Sequence, residues 1–371
     1  MKKIGIITFH NSYNCGSMLE SYAIQTVIDK ISGANVEIVN FSNKGQKKLY
    51  SVFFENNNIK NIVKNVLLFP HKKQIKYNNS QYEKFKNEHF VLSKPYSNVK
   101  ELHELKYDIV VAGSDQIWNI TIEDGDDAYF LPWVKDAKKV AYAPSFGARK
   151  IKDYTNDEGY KKYSELLRRF DALSIREENG KKWLKEMVGQ NVPVLIDPTL
   201  LLDSKEYEKI MDSSFKKEKY IFYYNPSYSK NACEFVRKIA KKYGLKVLCW
   251  SAKNYHIKRI KRYGFELVEY ESPSAYLNYI KNADLVITGS FHGTIFSTIF
   301  RKKFYSIYDK TYGNDDRLLT LVKKLGITER YIDCVYDDNE NYLKEIDYKQ
   351  YTLLLNNLKK EALYYLNNNI K

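Results

Sequence analysis

The sequence is poor in the features that mark several protein classes. Its four cysteines, Cys15, Cys233, Cys249 and Cys334, show no CxxC spacing, which argues against a zinc site or a disulfide framework and favours a reducing compartment. The apolar run in the opening "MKKIGIITFH" stops at Phe9, so a signal peptide is not predicted. No uncharged run approaches the roughly 18–20 apolar residues of a membrane span. We therefore expect a cytoplasmic protein, at most peripheral at the inner face of the membrane.

Several catalytic motifs are also missing. The GxxxxGK[ST] phosphate loop, the GxGxxG dinucleotide fingerprint, the zinc motif HExxH and the GxSxG nucleophile elbow do not occur. Asp315 and Asp316 are adjacent and precede Arg317, so they resemble the DxD metal motif of some glycosyltransferases only superficially. Cys15 has no histidine partner in its motif and is not interpreted as a nucleophile. The sequence thus predicts neither a metal site nor a bound organic cofactor.

Arginine is scarce although the chain is strongly basic. The net charge is +15, and of the 60 basic residues 50 are lysine and ten are arginine. Lysines in such numbers form a solvated surface, or attract anions such as nucleotide sugars, lipid phosphates or an anionic membrane. Nucleic acid is not an expected partner, because no arginine-rich run, zinc finger or aromatic RNA-binding motif occurs. An arginine in a loop that resembles a site is expected to use its planar fork on a carboxylate or phosphate.

The order of apolar and polar segments predicts an α/β protein. The 371 residues suffice for about two domains. A strand, a polar loop, a helix and a second strand are predicted at the start, in "KIGIITFHNSYNCGSMLESYAIQTVIDKISGANVEIVNF". Short apolar strands with polar ends follow in "YDIVVAGSDQIWN", "KKVAYAPSFG", "DALSIREENG" and "VPVLIDPTLLL". A second series contains "YIFYYNP", a helix from about Ser229 to Tyr243, "KVLCWS" and "DLVITGS".

These segments predict two Rossmann-like domains that face a cleft. We expect an N-terminal α/β domain over residues 1–205, on the acceptor side, with a helical insertion at about 44–100. A C-terminal α/β domain is expected over residues 206–345. Residues 346–371 are expected to form a helix that packs back across the junction.

The stretch from Ile287 to Phe300, "ITGSFHGTIFSTIF", places a histidine in a segment without charge. A strand is predicted to end at Thr288 and an apolar helix to follow, so His292 is expected at or near the helix N-terminus. The positive end of a helix dipole attracts anions, and a histidine there could exchange a proton with a bound anion near neutral pH. The alternative is a capping or core histidine that binds a backbone carbonyl.

Two further charged residues follow predicted strands. Arg176, in "SIREENG", is either a ligand anchor or the partner of a neighbouring glutamate in a salt bridge. Asp115, in "AGSDQIWN", could act as a general base, accept a hydrogen bond from a sugar hydroxyl, or cap the next segment. In the loop before the first helix, Asn14, Gly16 and Ser17 give a weak signal for an anion site.

Seven motifs, taken in order, resemble those of the polysaccharide pyruvyl transferase family. They extend from residue 8 to about residue 330 and are "TFHNSYNCGSMLESYA", "DIVVAGSDQIWN", "APSFG", "LSIREENG", "VLIDPTLLL", "ITGSFHGTIFS" and "DDRLLTLVKKLGI". The resemblance implies a two-domain fold similar to GT-B glycosyltransferases. It also implies an enzyme that transfers pyruvate from phosphoenolpyruvate to two hydroxyls of a sugar, as a cyclic ketal. The implied products are bacterial surface polysaccharides or cell-wall glycan precursors, made on an acceptor that is lipid-linked or an oligosaccharide.

The resemblance also assigns roles to particular residues. The family's histidine falls on His292 and its donor-binding arginine on Arg176. Ketal formation from an enol ether phosphate needs an acid, for which the imidazolium of His292 is suitable, and a carboxylate such as Asp115 could accept the hydroxyl protons. The residues expected to bind the acceptor are Asn14, Gly16, Ser17 and Asn119. Phosphoenolpyruvate is implied as a co-substrate, with no metal and no further cofactor.

One position departs from the family pattern. Many members carry a second arginine two residues before the histidine, where this chain has Ser290. We expect the donor to be bound here by Ser290 and by close backbone approach at Gly293, with Arg317 or a lysine taking part. The surrounding glycines and apolar helix are intact, so the Ser-Phe-His form is interpreted as a branch of the family.

Two other functions remain open from the residues alone. A nucleotide-sugar glycosyltransferase could use the same scaffold, because fold does not fix function. Such an enzyme would need a protein carboxylate that contacts the ribose of the nucleotide, for which Glu266 and Glu269 are ambiguous candidates. The other alternative is a non-catalytic protein that binds glycans or lipid phosphates, which the missing second arginine leaves open.

Overall fold

The chain forms two compact units, each built around its own parallel sheet. The computed structural model describes residues 1–147, 150–212, 218–310 and 315–371. Unit 1 comprises Met1–Ser51, Lys86–Leu202 and Leu355–Lys371, and unit 2 comprises Val52–Phe85 and Asp203–Leu354. The prediction of an α/β fold with two domains is thereby confirmed.

The regular elements of the described residues alternate between strands and helices. The strands are β1 (Lys3–Ile7), β2 (Asn35–Ile38), β3 (Ile109–Ala112), β4 (Lys138–Ala141), β5 (Tyr220–Tyr224), β6 (Lys246–Cys249), β7 (Glu266–Leu267), β8 (Leu285–Thr288), β9 (Phe304–Tyr308) and β10 (Tyr331–Asp333). The α-helices are α1 (Cys15–Ser32), α2 (Lys44–Leu49), α3 (Ile59–Leu68), α4 (Lys72–His89), α5 (Asp157–Leu167), α6 (Glu178–Val188), α7 (Ser204–Glu208), α8 (Lys230–Tyr243), α9 (Ala252–Ile257), α10 (Pro273–Asn282), α11 (Phe291–Ile299), α12 (Asp316–Lys324) and α13 (Lys349–Ile370).

The sheet of unit 1 has the order β2-β1-β3-β4, and all its strand pairs are parallel. Ile4 of β1 lies opposite Val36 on one side and Ile109 on the other. The four residues of β3 are buried, as expected for strands covered on both faces. The chain leaves β1 towards β2 and later returns to the other side of β1 to form β3. The strand order therefore reverses between β1 and β3.

The sheet of unit 2 has the order β10-β9-β8-β5-β6-β7, again with parallel pairs throughout. Its strand order reverses between β5 and β8. The predicted helix after β5 is confirmed as α8, in which Ser229 caps the N-terminus by accepting a hydrogen bond from the Ala232 N–H. Its apolar residues, among them Phe235 and Ile239, are buried in the core of the unit.

The helical segment predicted at 44–100 does not belong to one domain. Val52–Phe85 groups with unit 2, and the flanking residues group with unit 1. The physical reason is a small apolar contact, in which Leu68 and Ile75 pack with Ala252. The backbone N–H of Glu271 also donates to the Asn78 side chain at 3.2 Å. The assignment of the whole segment to the N-terminal domain is corrected accordingly.

The C-terminal helix contributes to both units. α13 begins in unit 2, and Leu355–Lys371 belongs to unit 1. There Leu366 and Ile370 are fully buried, and the Tyr365 hydroxyl donates to the carbonyl of Ala141 at 2.9 Å. No helix among the described residues combines the length and the apolar content needed to cross a membrane.

Two predicted strands of the N-terminal domain are shorter than expected. The segments "DALSIREENG" and "VPVLIDPTLLL" make only isolated parallel bridges, one between Val140 and Ala172 and one between Ile175 and Val194. Pro193 has no N–H to donate to a ladder, which limits pairing in the second segment. Both segments nevertheless deliver polar residues to the edge of unit 1 that holds the candidate site.

Candidate functional site

In unit 1, the carboxyl ends of the strands lead into a cluster of buried charged side chains. In open parallel sheets, ligands bind where the strand order reverses, which in this sheet is between β1 and β3. Asp115 follows β3, and Glu20 comes from α1, the helix after β1. Arg176 and Asp197 come from the two short extended segments. We call Glu20, Asp115, Arg176 and Asp197 the charged cluster.

Arg176 is buried between aspartates. Its Nη1 donates to Asp197 Oδ2 at 2.7 Å, and its Nη2 lies 3.5 Å from Asp115 Oδ1. Its side chain is only 2% exposed. Burial alone would lower the pKa of Arg176, but Asp197 and Asp115 outweigh it and the pKa is raised. The guanidinium thus faces two aspartates and is closed to solvent, and its role as a donor anchor stays a prediction. It forms salt bridges to Asp197 and Asp115.

Glu20 occupies the buried face of α1. Its Oε1 accepts a hydrogen bond from the Ser114 N–H at 2.7 Å, and its Oε2 lies 2.7 Å from Thr8 Oγ1. Burial raises the pKa of Glu20 well above its ordinary value, and the charges of Asp197 and Asp115 raise it further. The Thr8 hydroxyl also lies 3.4 Å from the Ser114 carbonyl. A protonated Glu20 can donate to Thr8 while Thr8 donates to Ser114, so these contacts fit a neutral Glu20.

Asp115 is held by the helix on which Glu20 lies. Its Oδ2 accepts a hydrogen bond from Ser17 Oγ at 2.6 Å, and its Oδ1 accepts one from the Gln116 N–H at 2.8 Å. Asp115 adopts a positive φ of 68°, which is uncommon for a residue with a side chain. Ser17 and Glu20, one turn apart on α1, thus both bind the loop that carries Asp115.

The other predicted acceptor residues lie in local turns of unit 1. Asn14 caps α1, with its Oδ1 accepting a hydrogen bond from the Gly16 N–H at 2.9 Å. Asn119 accepts hydrogen bonds from both the backbone N–H and the hydroxyl of Thr121, at 3.1 and 2.6 Å. Of the four predicted acceptor residues, only Ser17 contacts the charged cluster directly. The roles of Asn14, Gly16 and Asn119 in acceptor binding stay predictions.

In unit 2, the carboxyl ends of β5 and β8 lie at the point where the strand order reverses. Asn225 follows β5 and Gly289 follows β8, and a Cβ at Gly289 would come within 3.1 Å of the Asn225 side chain. Two helices of eight or more residues begin at this edge, α8 capped by Ser229 and α11 capped by Ser290. We call Asn225, Ser229, Ser290 and His292 the neutral edge.

His292 is the second residue of α11, so its predicted position at a helix start is confirmed. Its ring lies edge-to-face with that of Phe291, with centroids 5.3 Å apart. Ser290 Oγ accepts a hydrogen bond from the Gly293 N–H at 3.3 Å and so serves as the N-cap. A Cβ at Gly293 would come within 2.5 Å of Thr288 Oγ1, so this glycine admits close approach of the strand. The role of Gly293 in donor binding stays a prediction.

Arg317 is paired within its own helix start. Its Nε and Nη2 donate to the two carboxylate oxygens of Asp315, at 2.9 and 2.5 Å. Asp315 also caps α12 by accepting a hydrogen bond from the Arg317 N–H. The structure therefore gives Arg317 a local carboxylate partner, and its role in donor binding stays a prediction. Asp315 itself is explained as a helix cap.

The two ambiguous ribose candidates lie far along the sheet from the switch point. Glu266 begins the edge strand β7, and its carboxylate is 4.0 Å from Lys246 Nζ. Glu266 and Glu269 line a cavity of about 780 Å³ together with Tyr220 and Tyr279. Tyr220, Lys246 and Glu266 are the first residues of their strands, so the cavity includes the amino end of the sheet, whereas ligands of such sheets bind at the carboxyl end.

Four members of these two groups were not predicted as site residues, and one of them, Ser229, was predicted only as the start of a helix. Glu20 sits between apolar residues of "MLESYAIQ", and a charged residue on the buried face of a helix is a signal that could have identified it. Asp197 lies in a segment interpreted as the exit from the domain. Asn225 follows a strand in the same way as Asp115, and the same rule would have found it.

A sequence model of polysaccharide pyruvyl transferases matches residues 14–311, a stretch that contains both the charged cluster and the neutral edge. The chain belongs to this family. The predicted resemblance is thereby confirmed. A search of curated protein sequences gave no match.

Solved structures show the fold at low sequence identity. A UDP complex of Staphylococcus aureus MnaA has 14% identity and a TM-score of 0.51, and the alignment covers 99% of this chain and 90% of that one. A putative UDP-N-acetylglucosamine 2-epimerase from Listeria monocytogenes has 9% identity, a TM-score of 0.52 and the same coverage. UDP-GlcNAc 2-epimerase from Methanocaldococcus jannaschii has 13% identity and a TM-score of 0.50, with 96% and 93% covered. These similarities confirm a GT-B-like fold.

Proposed function

We propose that this family member transfers the pyruvyl group of phosphoenolpyruvate to two hydroxyls of one sugar, and so forms a cyclic ketal. The acceptor would be a bacterial surface polysaccharide or cell-wall glycan precursor. Membership of the family supports the transferase class. The observation that carries the proposal further is the position of His292, at the start of α11 and at the switch point of unit 2.

The neutral edge suits an anionic donor. Phosphoenolpyruvate carries a phosphate and a carboxylate, and the N-termini of α8 and α11 present backbone N–H groups and the positive ends of two helix dipoles. Asn225 and Ser290 are neutral and can donate hydrogen bonds without adding negative charge. The Ser229 hydroxyl donates to Asp309 Oδ2 at 2.7 Å, so a carboxylate lies beside the start of α8, and the start of α11 is the part of the edge that best suits an anion. This arrangement supports donor binding although Ser290 replaces the arginine found in many members.

The proposed chemistry begins with a proton transfer. His292, as imidazolium, protonates the methylene carbon of the donor, and the adjacent carbon becomes a cationic centre. A sugar hydroxyl attacks that centre and its proton passes to Asp115. The bond between the centre and the phosphate oxygen then breaks, phosphate departs, and the second hydroxyl attacks and loses its proton to the departing phosphate. One donor and one diol thus give one ketal and one phosphate, without change of oxidation state.

In this scheme the charged cluster serves the acceptor side. Asp115 accepts the hydroxyl proton, and Ser17 orients its carboxylate through the 2.6 Å hydrogen bond. We assign Arg176 the role of a positioning residue, which neutralises and holds Asp115 rather than binding the donor. Asn14, Gly16 and Asn119 would shape the loops against which the sugar lies.

The proposed partners are phosphoenolpyruvate and a sugar acceptor that is lipid-linked or an oligosaccharide. A lipid-linked acceptor would place the reaction at the cytoplasmic face of a membrane, where anionic lipids attract a chain of net charge +15. None of the four cysteines, all of which lie in the described part of the chain, forms a disulfide, which fits the reducing compartment that this location would provide.

The proposal is tested by incubating the protein with phosphoenolpyruvate and a panel of saccharides in heavy water. We expect acceptor-dependent release of phosphate and a ketal whose methyl group carries one deuteron from the solvent. Parallel samples that contain UDP-sugars instead of phosphoenolpyruvate test whether the protein is a glycosyltransferase. Release of UDP without any turnover of phosphoenolpyruvate would replace the proposal with that alternative. Binding of saccharides without turnover of either donor would indicate a non-catalytic relative.

A further inference from the structure

Helix α3 exposes an apolar face to solvent. Among the described residues, thirteen large hydrophobic side chains are exposed, and five of them lie within eleven consecutive positions. These five are Ile59, Ile62, Val63, Val66 and Phe69, with exposed fractions between 46% and 79%. At 3.6 residues per turn, their spacing places them on one side of the helix and its immediate continuation. We call these five residues the apolar face of α3.

The opposite side of α3 makes an apolar contact with Ala252 through Leu68 and polar contacts with the segment that precedes the helix. The Asn65 side chain accepts a hydrogen bond from the Phe54 N–H at 2.9 Å and donates one to the Phe54 carbonyl at 2.8 Å. The Asn61 side chain donates to the carbonyl of Glu55 at 3.1 Å. Only Leu68 of this helix is fully buried. Apart from Leu68, the helix therefore directs asparagines towards the protein and aliphatic side chains towards solvent. This is the opposite of the usual arrangement in an amphipathic surface helix.

The apolar face lies in a strongly basic segment. From Ile59 to Lys76 the sequence contains five lysines and no aspartate or glutamate. Lys72 Nζ stands 4.6 Å above the ring of Phe69, and Lys73 and Lys76 are exposed. Lysines beside exposed apolar side chains are the combination found in helices that lie in the interface of an anionic bilayer.

We propose that α3 is a membrane-docking helix, whose apolar face enters the headgroup region of an anionic lipid bilayer while the surrounding lysines contact lipid phosphates. A second copy of the chain is a poorer occupant, because two such segments would bring ten lysines together without a facing carboxylate within them. An anionic bilayer satisfies both the apolar side chains and the charge. The inference does not depend on the proposed reaction, although a lipid-linked acceptor would require such contact.

The test measures cosedimentation of the full chain with vesicles of phosphatidylcholine alone and of phosphatidylcholine mixed with phosphatidylglycerol. We expect binding to the anionic vesicles and much weaker binding to the neutral ones. Val66→Asp, on the apolar face, should weaken binding about tenfold or more. Val335→Asp is the matched control, because Val335 is 68% exposed and Val66 is 67% exposed, and only Val66 lies on α3. Lys73→Gln should weaken binding to anionic vesicles about fivefold.

Thermal unfolding and circular dichroism establish that each variant is folded. The proposal is overturned if the wild-type chain binds neither vesicle, or if Val66→Asp binds as well as Val335→Asp. It is also overturned if the wild-type chain is a dimer in solution that Val66→Asp dissociates, which would assign the face to a second copy. Phosphate release with a soluble acceptor should be unchanged in Val66→Asp, so a failure of docking is distinguishable from a failure of the proposed reaction.

Discussion

The two units present candidate ligand-binding edges that differ in their charged groups. In unit 1 the charged cluster brings three buried carboxyl groups, those of Glu20, Asp115 and Asp197, together with the guanidinium of Arg176. In unit 2 the neutral edge places serine caps, an asparagine and His292 near the starts of two helices, and one carboxylate, Asp309, accepts a hydrogen bond from Ser229. Both edges arise in the same way, at the reversal of strand order in a parallel sheet.

The difference indicates which substrate each unit can accept. A donor with a phosphate and a carboxylate would be repelled in unit 1 by Asp115 and Asp197, which outnumber the one cation Arg176, whereas helix N-termini would attract it in unit 2. A sugar hydroxyl is neutral and needs an acceptor for its proton, the role that we propose for Asp115. We therefore assign the donor to unit 2 and the acceptor to unit 1, and the following predictions test that division.

The largest effect is expected at His292. His292→Ala should lower the turnover rate by roughly 10²- to 10⁴-fold, which is the usual contribution of a positioned general acid. His292→Gln, which keeps hydrogen bonding but cannot deliver the proton, should be almost as slow. The exposed His103→Ala serves as the control, and unfolding temperatures should be nearly unchanged in all three. A glutamine variant with most of its activity would show that another residue supplies the proton.

The next effect is a loss of stability in the charged cluster. Arg176→Met leaves Asp115 and Asp197 buried without their cation, and removing one partner of a buried ion pair costs about 3–5 kcal/mol. Urea denaturation should show a loss of that size. Arg176→Lys keeps the charge but loses the planar fork, so it should recover part of the stability.

The Lys variant also separates the two roles of Arg176. As a positioning residue for Asp115, Arg176→Lys should lower kcat and leave the KM for phosphoenolpyruvate unchanged. A raised KM with an unchanged kcat would instead show that Arg176 binds the donor, and the division between the units would be wrong.

The smallest effect concerns the pH dependence of stability. Burial and the neighbouring Asp197 and Asp115 raise the pKa of Glu20, hydrogen bonds from Thr8 and Ser114 oppose that rise, and Tyr142 also lies near this group. The folded protein therefore holds a proton that the unfolded chain releases above about pH 4.3. The free energy of unfolding should fall as the pH rises from there towards the raised pKa, by up to about 1.4 kcal/mol for each pH unit.

Glu20→Gln removes this contribution, because glutamine is neutral at every pH. Relative to wild type, the variant should gain stability as the pH rises, and the exposed Glu361→Gln should follow the wild-type curve. If wild type and Glu20→Gln change in parallel with pH, Glu20 is ionised in the folded protein.

The local parts of the fold could be predicted from the sequence. The first β-α-β unit and α8 follow from apolar spacing and from caps such as Asn14 and Ser229. The position of Val52–Phe85 could not be predicted in this way. Apolar residues at helical spacing indicate a core-facing helix, and α3 directs them outwards. Leu68 of α3 packs against Ala252, which is distant in the sequence, so no local pattern indicates this contact.

The candidate site residues also differ in whether local sequence could predict them. His292 could be predicted because a strand, a tight turn and a helix are consecutive in the sequence. The charged cluster could be found only in part, because Glu20, Asp115, Arg176 and Asp197 come from four separate segments. Arg176 and Asp115 were identified singly from their positions after strands, but the burial that turns them into partners depends on the whole fold.

The division between the units is tested most directly by calorimetric titration of phosphoenolpyruvate into two variants. Ser290→Asp keeps a good helix cap but adds a negative charge beside His292, and Asp115→Asn removes a charge in unit 1. We predict that Ser290→Asp weakens donor binding about tenfold or more, while Asp115→Asn binds the donor as wild type does and loses turnover. Donor affinity that is unchanged in Ser290→Asp and altered in Asp115→Asn would contradict the account.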